Sequence, residues 1–390
     1  MRTRLRHLAA FAPLFVSCLG AQTIPDRLSD RELWRLSAEF SEPNGYFRSD
    51  NFLSNETGFQ YVIPELTQRV TQGSVYLGVG PEQNFTYIVA LKPKMAFIFD
   101  IRRGNMIAHL MYKSLFEMSA DRAEFLSKLF SRPRPAGLGA ASTAKELFDA
   151  YAVAAPDSAL FRRNLAAIKE HLTKTRGWAM NDSDSKLMDY TYGAYFGGGP
   201  AINYNFRPGM SDAAGFGRGF RGGFGMPTYA TLQQATDADG KAWAYLATEE
   251  NFRWMKDFES KNLLVPVVGD FAGSKAIQSV AKYLKEHQAV VGAFYTSNVE
   301  QYLFQDGVWE RYYKNVATLP LDGGSTFIRS IGGGFRGGFG GPPASTPASV
   351  QAQARLGGRL PSVICSIQDL LKAFGDGKIG SYADVIALSK

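Results

Sequence analysis

The stretch that decides the fold is GSVYLGVGPEQNFTYIVALKPKMAFIFDIRRGN, residues 73–105. It begins with an apolar run, SVYLGV, which is typical of a buried strand, and a turn with glycines at positions 78 and 80 follows. A helical segment comes next, and a second apolar run, AFIFD, ends at Asp100. The succession of strand, glycine turn, helix and strand predicts a βαβ unit, in which a helix connects two parallel strands.

The same alternation returns nearer the carboxyl terminus. The segments NLLVPVVGD (262–270) and AVVGAFYTSN (289–298) have the composition of buried strands, and a helical segment precedes each of them. Strands that alternate with helices predict a mostly parallel sheet with helices on both faces. We therefore expect an α/β fold, as a single Rossmann-like domain over residues 22–390 with a helical insertion at about 114–196. A division into two domains is the alternative.

The first residues have the pattern of an export signal. Arginines at positions 2, 4 and 6 precede an apolar run from Leu8 to Leu19, and the small residues Gly20 and Ala21 follow. The run is too short to span a bilayer as a mature helix, so the pattern indicates a secretory signal that is cleaved after Ala21. We therefore expect residues 1–21 to be a signal peptide and the mature protein to be exported, either periplasmic or extracellular.

Charge and hydropathy argue against two classes of partner. The formal charge of +7 includes the three arginines of the signal, so the mature chain is only mildly basic, which by itself does not indicate nucleic-acid binding. Beyond the signal, no segment approaches the roughly 20 apolar residues of a membrane-spanning helix. We expect no nucleic-acid partner and no transmembrane segment after signal cleavage.

Two glycine-rich segments, 215–225 and 332–346, each contain the sequence GFRGGFG. Glycine-rich chain gains too little burial on folding to offset its backbone entropy, so we expect two flexible surface loops. The alternative is an Arg–Phe–Gly segment that binds nucleic acid or self-associates. Few arginines and no neighbouring lysines are available for a phosphate-binding surface, which favours the loop interpretation.

Cysteine and histidine are too scarce for a metal centre or a thiol-based mechanism. The two cysteines are Cys18, which lies within the signal, and Cys365, which lies in the apolar run PSVICSI. We expect Cys365 to be a buried, inert thiol, and Cys18 leaves lipidation as the less favoured alternative to a freely soluble mature chain. His109, His171 and His287 have no metal-ligand spacing, so neither a zinc site nor a serine–histidine triad is expected.

The glycine turn and the aspartate that follows it have the spacing of a nucleoside site. Gly78 and Gly80 let the chain turn sharply and approach a ligand closely, and the helix that follows presents its amino terminus to a polar group. Asp100 lies 20 residues beyond Gly80, where a carboxylate reaches a ribose diol in Rossmann-type sites. Gln83 occupies the third glycine position of the dinucleotide fingerprint, so pyrophosphate binding is only weakly indicated. The alternative is a turn whose glycines serve packing alone.

This glycine turn and strand-end acid resemble motif I and the following acidic position of the class I S-adenosylmethionine-dependent methyltransferases, including the spermidine-synthase-like branch. The resemblance covers about 30 residues and implies S-adenosylmethionine as the cofactor. It implies that Gly78 and Gly80 pack under the ligand's methionine part, and that Asp100 holds the ribose. The whole chain also resembles exported bacterial proteins of uncharacterised function, which implies no reaction.

Further candidates for ligand binding lie beside these residues. Glu82 and Asn84 open the helix after the glycine turn, and Asn105 follows Asp100, where it could contact an adenine edge or cap a helix. A polar loop upstream, SEPNGYFRSDNFLSNE (41–56), would suit a lid or the rim of a site.

Asp270 follows one of the later strands and precedes a helix. In a parallel sheet the carboxyl ends of the strands face the ligand crevice, so Asp270 is a candidate general base or substrate anchor, with a helix cap as the alternative. Ser297 and Asn298 end the next strand in the same way. We therefore expect an exported protein that binds or modifies a small polar ligand, possessing a methyltransferase-like crevice. The alternative is a non-catalytic binding or interaction protein with a vestigial Rossmann site, because S-adenosylmethionine is a cytoplasmic cofactor.

Overall fold

The computed structural model describes residues 23–207, 226–331 and 361–389. The predicted signal peptide, residues 1–21, lies outside the described residues, as do the two glycine-rich segments at 215–225 and 332–346. Within the described ranges, no helix combines the length and the apolar composition that crossing a membrane requires.

A six-stranded sheet forms the centre of the molecule, and its strand order is β3-β2-β1-β4-β5-β6. The first five strands run parallel, and β6 runs antiparallel to β5 at the edge. The strands are β1 (Val75–Val79), β2 (Met95–Asp100), β3 (Leu264–Val268), β4 (Val291–Ser297), β5 (Leu321–Ser330) and β6 (Ser362–Ser366). The predicted α/β fold with a mostly parallel sheet is confirmed. The chain adds β2 and β3 on one side of β1 and then adds β4, β5 and β6 on the other side. The order of the strands therefore reverses between β1 and β4, and in open α/β sheets ligands bind at such a reversal point.

Helices connect the strands, and the longest connection separates β2 from β3. The helices before β2 are α1 (Asp30–Phe40), α2 (Ile63–Arg69) and α3 (Gln83–Leu91). Between β2 and β3 lie α4 (Arg103–Met118), α5 (Arg122–Phe130), α6 (Ala144–Val153), α7 (Ser158–Glu170), α8 (Asp182–Gly198), α9 (Tyr229–Gln233) and α10 (Glu249–Ser260), with a π-helical turn at His171–Thr175. After β3 follow α11 (Ala276–Glu286), α12 (Val299–Gln305), α13 (Trp309–Val316), α14 (Ile367–Gly375) and α15 (Tyr382–Ala387).

Alternating side chains of the strands bury both faces of the sheet. Tyr76 of β1 projects from one face, where its ring lies 6.4 Å from the ring of Tyr87 in α3. Phe97 of β2 projects from the other face, where it contacts Phe40 of α1 and Tyr283 of α11. Adjacent residues of a strand point to opposite faces, so fully buried strands need helices on both sides. Both layers of helices are present, as the sequence predicts.

A buried cluster of charges ties α4 to the π-helical turn. The carboxylate of Glu117 is paired with Lys113 at 2.8 Å and with Arg176 at 2.8 Å, and it also contacts His171. The side chains of Lys113 and Glu117 are only 3% and 4% exposed. Burial acts to raise the pKa of Glu117, but the hydrogen bond from His171 and the charge of Lys113 outweigh it and lower that pKa to about 2.

Acid is expected to remove the stability that this cluster contributes. Because the pKa of Glu117 is lower in the folded chain than its usual value of 4.5, the contribution is complete above about pH 4.5 and is lost as the pH falls toward about 2. The Glu117→Gln variant should therefore be less stable than wild type at neutral pH, and the difference should shrink through that window. Urea unfolding across this pH range measures it. Glu39→Gln, which breaks an exposed pair with Arg35, is the control and should show a small difference throughout.

Candidate functional site

A cleft of about 840 Å³ opens at the carboxyl ends of four neighbouring strands. Its lining includes Gly80 after β1, Asp100 at the end of β2, Asp270 after β3 and Ser297 at the end of β4. The cleft therefore lies at the reversal point of the sheet, and its volume is in the range of sites for small ligands. The predicted residues Gly80, Asp100 and Asp270 are brought together here.

A depression of similar size, about 940 Å³, lies between α1 and α11 on the surface. Its lining comes from the segment before α1 and from α1 and α11, and its charged members include Arg35, which is 51% exposed. None of the predicted site residues lines this depression, so we place the candidate site in the cleft at the strand ends.

The two glycines of the turn serve different purposes. Gly80 has a φ of +76°, in the left-handed region that favours glycine, and space is open where its Cβ would lie. Gly78 lies inside the fold, where a Cβ would overlap Oδ1 of Asn84 and crowd the Tyr76 ring. Gly80 therefore borders the cleft, whereas Gly78 is required for packing of the strand against α3.

The buried side chain of Asn84 holds the glycine turn in place by hydrogen bonds to its backbone. Its Nδ2 donates to the carbonyl oxygens of Val79 at 2.9 Å and Pro81 at 2.7 Å, and to that of Gly80 at 3.3 Å. Its Oδ1 accepts a hydrogen bond of 2.8 Å from the hydroxyl of Tyr76. The side chain is fully buried and does not line the cleft. Asn84 thus shapes the turn that was predicted to contact the ligand.

Glu82 and Asn105 also lie away from the cleft lining. The carboxyl of Glu82 is fully buried, and burial raises its pKa to about 8. Burial raises the pKa of Tyr112 on α4 and of Tyr245 in the turn before α10, and the charge of Glu82 adds to both increases. Asn105 is 4% exposed on α4. Neither of these two predicted residues therefore lines the cleft with Gly80 and Asp100.

His109 supports the turn rather than a metal. Its Nε2 lies 2.9 Å from the carbonyl oxygen of Gly80, to which it donates. Burial lowers the pKa of His109 to about 4, so the ring is neutral at physiological pH. Within the described residues, no cluster of three or more histidine, cysteine, aspartate or glutamate side chains is arranged to hold a metal ion. The thiol of Cys365 on β6 is free and buried, as predicted.

Asp100 presents a largely buried carboxyl at the end of β2, with 5% of the residue exposed. Its Oδ1 accepts a hydrogen bond of 2.8 Å from the backbone N–H of Arg102, whose guanidinium lies 3.6 Å away. Burial raises the pKa of Asp100, while the charge and the N–H of Arg102 act to lower it. Asp100 therefore both anchors the turn after β2 and faces the cleft.

Asp270 lines the cleft, but the alternative prediction that it caps the following helix is wrong, because α11 begins only at Ala276, after Lys275. The Oδ1 of Asp270 instead accepts a hydrogen bond of 2.9 Å from the backbone N–H of Ala272 in the turn after β3. Its backbone N–H donates to Glu42 at 2.8 Å. The same residue lines the cleft, so a contact with a ligand is compatible with the geometry of this turn.

Glu56 lines the cleft and was not predicted as a site residue. It is 1% exposed, and its Oε1 accepts hydrogen bonds of 2.6 Å from both Tyr295 and Ser297 of β4. Burial raises its pKa to about 7. The polar loop 41–56 was expected to form a lid or rim, and Glu56 is its last residue, but nothing in the local sequence distinguishes this acid from the others in that loop.

The same loop supplies an aromatic rim. Phe47 packs edge-on against Tyr302 of α12 with a centroid distance of 5.3 Å, and Arg48 donates to the Tyr302 hydroxyl at 3.1 Å. Tyr46 borders the cleft and is 85% exposed. Exposed tyrosine and arginine side chains at the mouth of a cleft suit contacts with planar or polar ligand groups.

Comparison with known proteins identifies a family without giving an activity. No curated protein matches this chain. A family model described as a domain of unknown function, DUF7790, matches residues 51–185 and 225–356, which together make up more than half of the 390 residues. The matched ranges contain the glycine turn, Asp100, Asp270 and Glu56. The chain therefore belongs to the DUF7790 family of domains of unknown function.

Proposed function

We propose that the cleft binds an adenosine-type ligand, with S-adenosylmethionine as the candidate cofactor, and that a small polar second ligand is bound or modified there. One observation carries this proposal: Gly80 and Asp100 border the same cleft at the reversal point of the sheet. That is the arrangement in which a glycine turn lets a ligand approach the backbone while a carboxylate accepts hydrogen bonds from a ribose diol.

The charge of the lining supports a nucleoside rather than a dinucleotide. Among the described residues that line the cleft, Glu56, Asp100, Asp270 and Asp306 are acids and Arg48 is a cation. An acidic cleft favours neutral or cationic ligands and disfavours a pyrophosphate. The absence of the third fingerprint glycine at Gln83 points the same way.

The residues present suit S-adenosylmethionine by their chemistry. Asp100 would hold the ribose, and the open space at Gly80 would admit the ligand close to the backbone. When bound, this cofactor supplies an alkyl group on a positively charged sulfur. Asp270 stays the predicted base or anchor for the second ligand, on the opposite side of β2 from the glycine turn.

A non-catalytic binding protein is the second candidate. The observation that favours it is the engagement of Asp100 Oδ1 by the backbone of Arg102, together with the burial of the Asp100 carboxyl. In this alternative the strand-end acid serves the turn, and the cleft holds a ligand without chemistry or retains only its ancestral shape.

The Asp100→Asn variant is expected to bind adenosine at least about tenfold more weakly than wild type. A charge-assisted hydrogen bond is worth roughly 1.5–3 kcal/mol, and 1.4 kcal/mol corresponds to one decade in affinity. The fold should persist because asparagine is nearly isosteric with aspartate. Calorimetric titration of adenosine, S-adenosylhomocysteine and S-adenosylmethionine measures the affinities, and thermal unfolding measures the stability.

Asp306→Asn is the matched control, because Asp306 is an exposed acid at the rim of the same cleft. Adenosine carries no charge, so its affinity should be unchanged in this variant. Loss of stability in Asp100→Asn with unchanged affinity would assign Asp100 to the Arg102 turn alone. Failure of all three ligands to bind wild type at millimolar concentration would rule out the proposed function.

A further inference from the structure

Glu56 occupies an unusual position in the cleft, because the groups that hydrogen-bond to it are hydroxyls. Tyr295 and Ser297 donate to its Oε1 at 2.6 Å each. Two other buried carboxylates are paired with cations, Glu300 with Arg329 and Glu117 with Lys113. A carboxylate that accepts hydrogen bonds only from neutral hydroxyls has no counter-ion, so it can still pair with a cation.

The surroundings of Glu56 come from several elements and contribute polar hydroxyls and phenol rings. Hydrogen bonds from Ser330 at the end of β5 and from Ser362 of β6 act to lower the pKa of Glu56, as do those from Tyr295 and Ser297. Burial raises the pKa of four tyrosines on β1, α3, β4 and α15, and the charge of Glu56 raises it further. These are Tyr76, Tyr87, Tyr295 and Tyr382.

The backbone beside Glu56 is also held in a rare conformation. Ser297 has a φ of +51°, in the left-handed region that residues other than glycine seldom adopt. Such a residue costs on the order of 1–3 kcal/mol unless the surrounding structure compensates, and these residues concentrate at functional sites. The conformation places the Ser297 hydroxyl on Glu56 at the exact end of β4, where it borders the cleft.

A third hydrogen bond fixes the cluster relative to the glycine turn. The hydroxyl of Tyr295, which donates to Glu56, accepts a bond of 2.5 Å from Nε2 of Gln83. Gln83 opens α3 directly after the turn that contains Gly80, and it also lines the cleft. The Glu56 carboxyl is therefore held in a defined position next to the part of the cleft that the proposed function assigns to the ligand.

We propose that the cluster of Glu56, Tyr295 and Ser297 is a cation subsite, in which the Glu56 carboxylate pairs with a positively charged centre of the bound ligand. This inference rests on the proposed function and adds to it the charge of the ligand. The ligand class is a nucleoside that carries a sulfonium or an ammonium group. When that group enters, the carboxyl releases its proton to solvent and becomes the counter-ion.

Proton release on binding provides the test. Burial raises the pKa of Glu56 to about 7, so near pH 7 the group is partly protonated, and a ligand cation that lowers this pKa should release up to about half a proton per ligand. Calorimetry in phosphate and in Tris, whose ionisation enthalpies differ, gives the number of protons released. The affinity for a cationic ligand should rise as the pH increases through about 7.

Three ligands show which positively charged group pairs with Glu56. Adenosine carries neither cation, S-adenosylhomocysteine carries an ammonium, and S-adenosylmethionine carries both an ammonium and a sulfonium. Release with S-adenosylmethionine alone identifies the sulfonium, and release with both charged ligands identifies the ammonium. Binding of all three with equal proton release, or with none, overturns the inference while leaving the proposed function intact. Absence of binding by any ligand is a different result, which rejects the proposed function and this inference with it.

Variants of the cleft show whether Glu56 is the group that releases the proton. Glu56→Gln should abolish the release and weaken S-adenosylmethionine about tenfold above pH 7, with little change for adenosine. Asp306→Asn removes an exposed acid at the rim of the same cleft and should retain the release; the reverse pattern overturns the assignment. Ser297→Gly serves if Glu56→Gln does not fold, because glycine tolerates the backbone conformation and loss of the hydroxyl raises the pKa of Glu56. The release maximum should then move to higher pH, and an unchanged maximum contradicts the inference.

Discussion

Replacing Arg329 by methionine is expected to lower the free energy of unfolding by about 3–5 kcal/mol, because it leaves a buried carboxylate without its partner. Arg329 of β5 and Glu300 of α12 form an ion pair in which the side chains are 0% and 1% exposed. The hydroxyl of Tyr313 donates to the same carboxylate at 2.8 Å, and the Arg329 guanidinium lies 4.3 Å from the centre of the Phe327 ring. Methionine fills a similar volume but cannot compensate the charge of Glu300.

The consequence for the cleft follows from the position of Glu300. It lies in the first turn of α12, two residues after Asn298, so the ion pair holds the cleft-lining segment of Ser297 and Asn298 against the sheet. Urea unfolding measures the stability. The double variant Arg329→Met with Glu300→Leu removes both charges and should recover much of the loss, since a buried pair replaced by apolar side chains is often neutral.

A surface pair provides the control for this experiment. Arg35→Met breaks an ion pair with Glu39 whose side chains are 51% and 56% exposed, and it should change stability by less than about 1 kcal/mol. If Arg329→Met changes stability no more than Arg35→Met does, the buried pair does not hold α12 in the way its geometry indicates.

Replacing Asn84 by alanine is expected to cost about 3 kcal/mol or more of stability and to weaken ligand binding. The substitution leaves the carbonyl oxygens of Val79 and Pro81 and the hydroxyl of Tyr76 without their buried partner. Each buried polar group that loses its hydrogen bond costs about 1–3 kcal/mol. Because the same side chain holds the turn at Gly80, the cleft should lose its shape on that side, and adenosine affinity should fall together with stability.

Asn251→Ala is the matched control for Asn84→Ala. The Asn251 side chain donates a bond of 3.0 Å to the carbonyl oxygen of Ala244, and neither residue lines the cleft, so the expected cost is about 1 kcal/mol with unchanged affinity. Thermal or urea unfolding and adenosine titration measure both effects. An Asn84→Ala protein that is destabilised yet binds adenosine normally would show that the turn keeps its shape without this side chain.

The central part of the fold could be predicted from the sequence because its signals are local. The strands around Leu77, Phe97 and Val267 are continuous apolar runs, and the glycines at 78 and 80 mark a turn that few other residues allow. Alternation of strands and helices then restricts the topology to a parallel sheet with helices on both faces. The meeting of Gly80, Asp100 and Asp270 follows from the same reasoning, since the carboxyl ends of parallel strands share one edge.

What only the tertiary structure decided is the direction in which the polar side chains point. Glu82 and Asn84 are neighbours of Gly80 in sequence, yet the packing of α3 on the sheet turns both away from the cleft, one beside buried tyrosines and the other under the turn. Glu56 lies in a loop with no periodic pattern, and only the path of that loop brings its carboxyl to Tyr295 and Ser297. Residue spacing determines which strand ends meet, because strand geometry is regular. The orientation of a side chain, the pKa of a buried acid and its pairing across 239 residues depend on contacts that the local sequence does not encode.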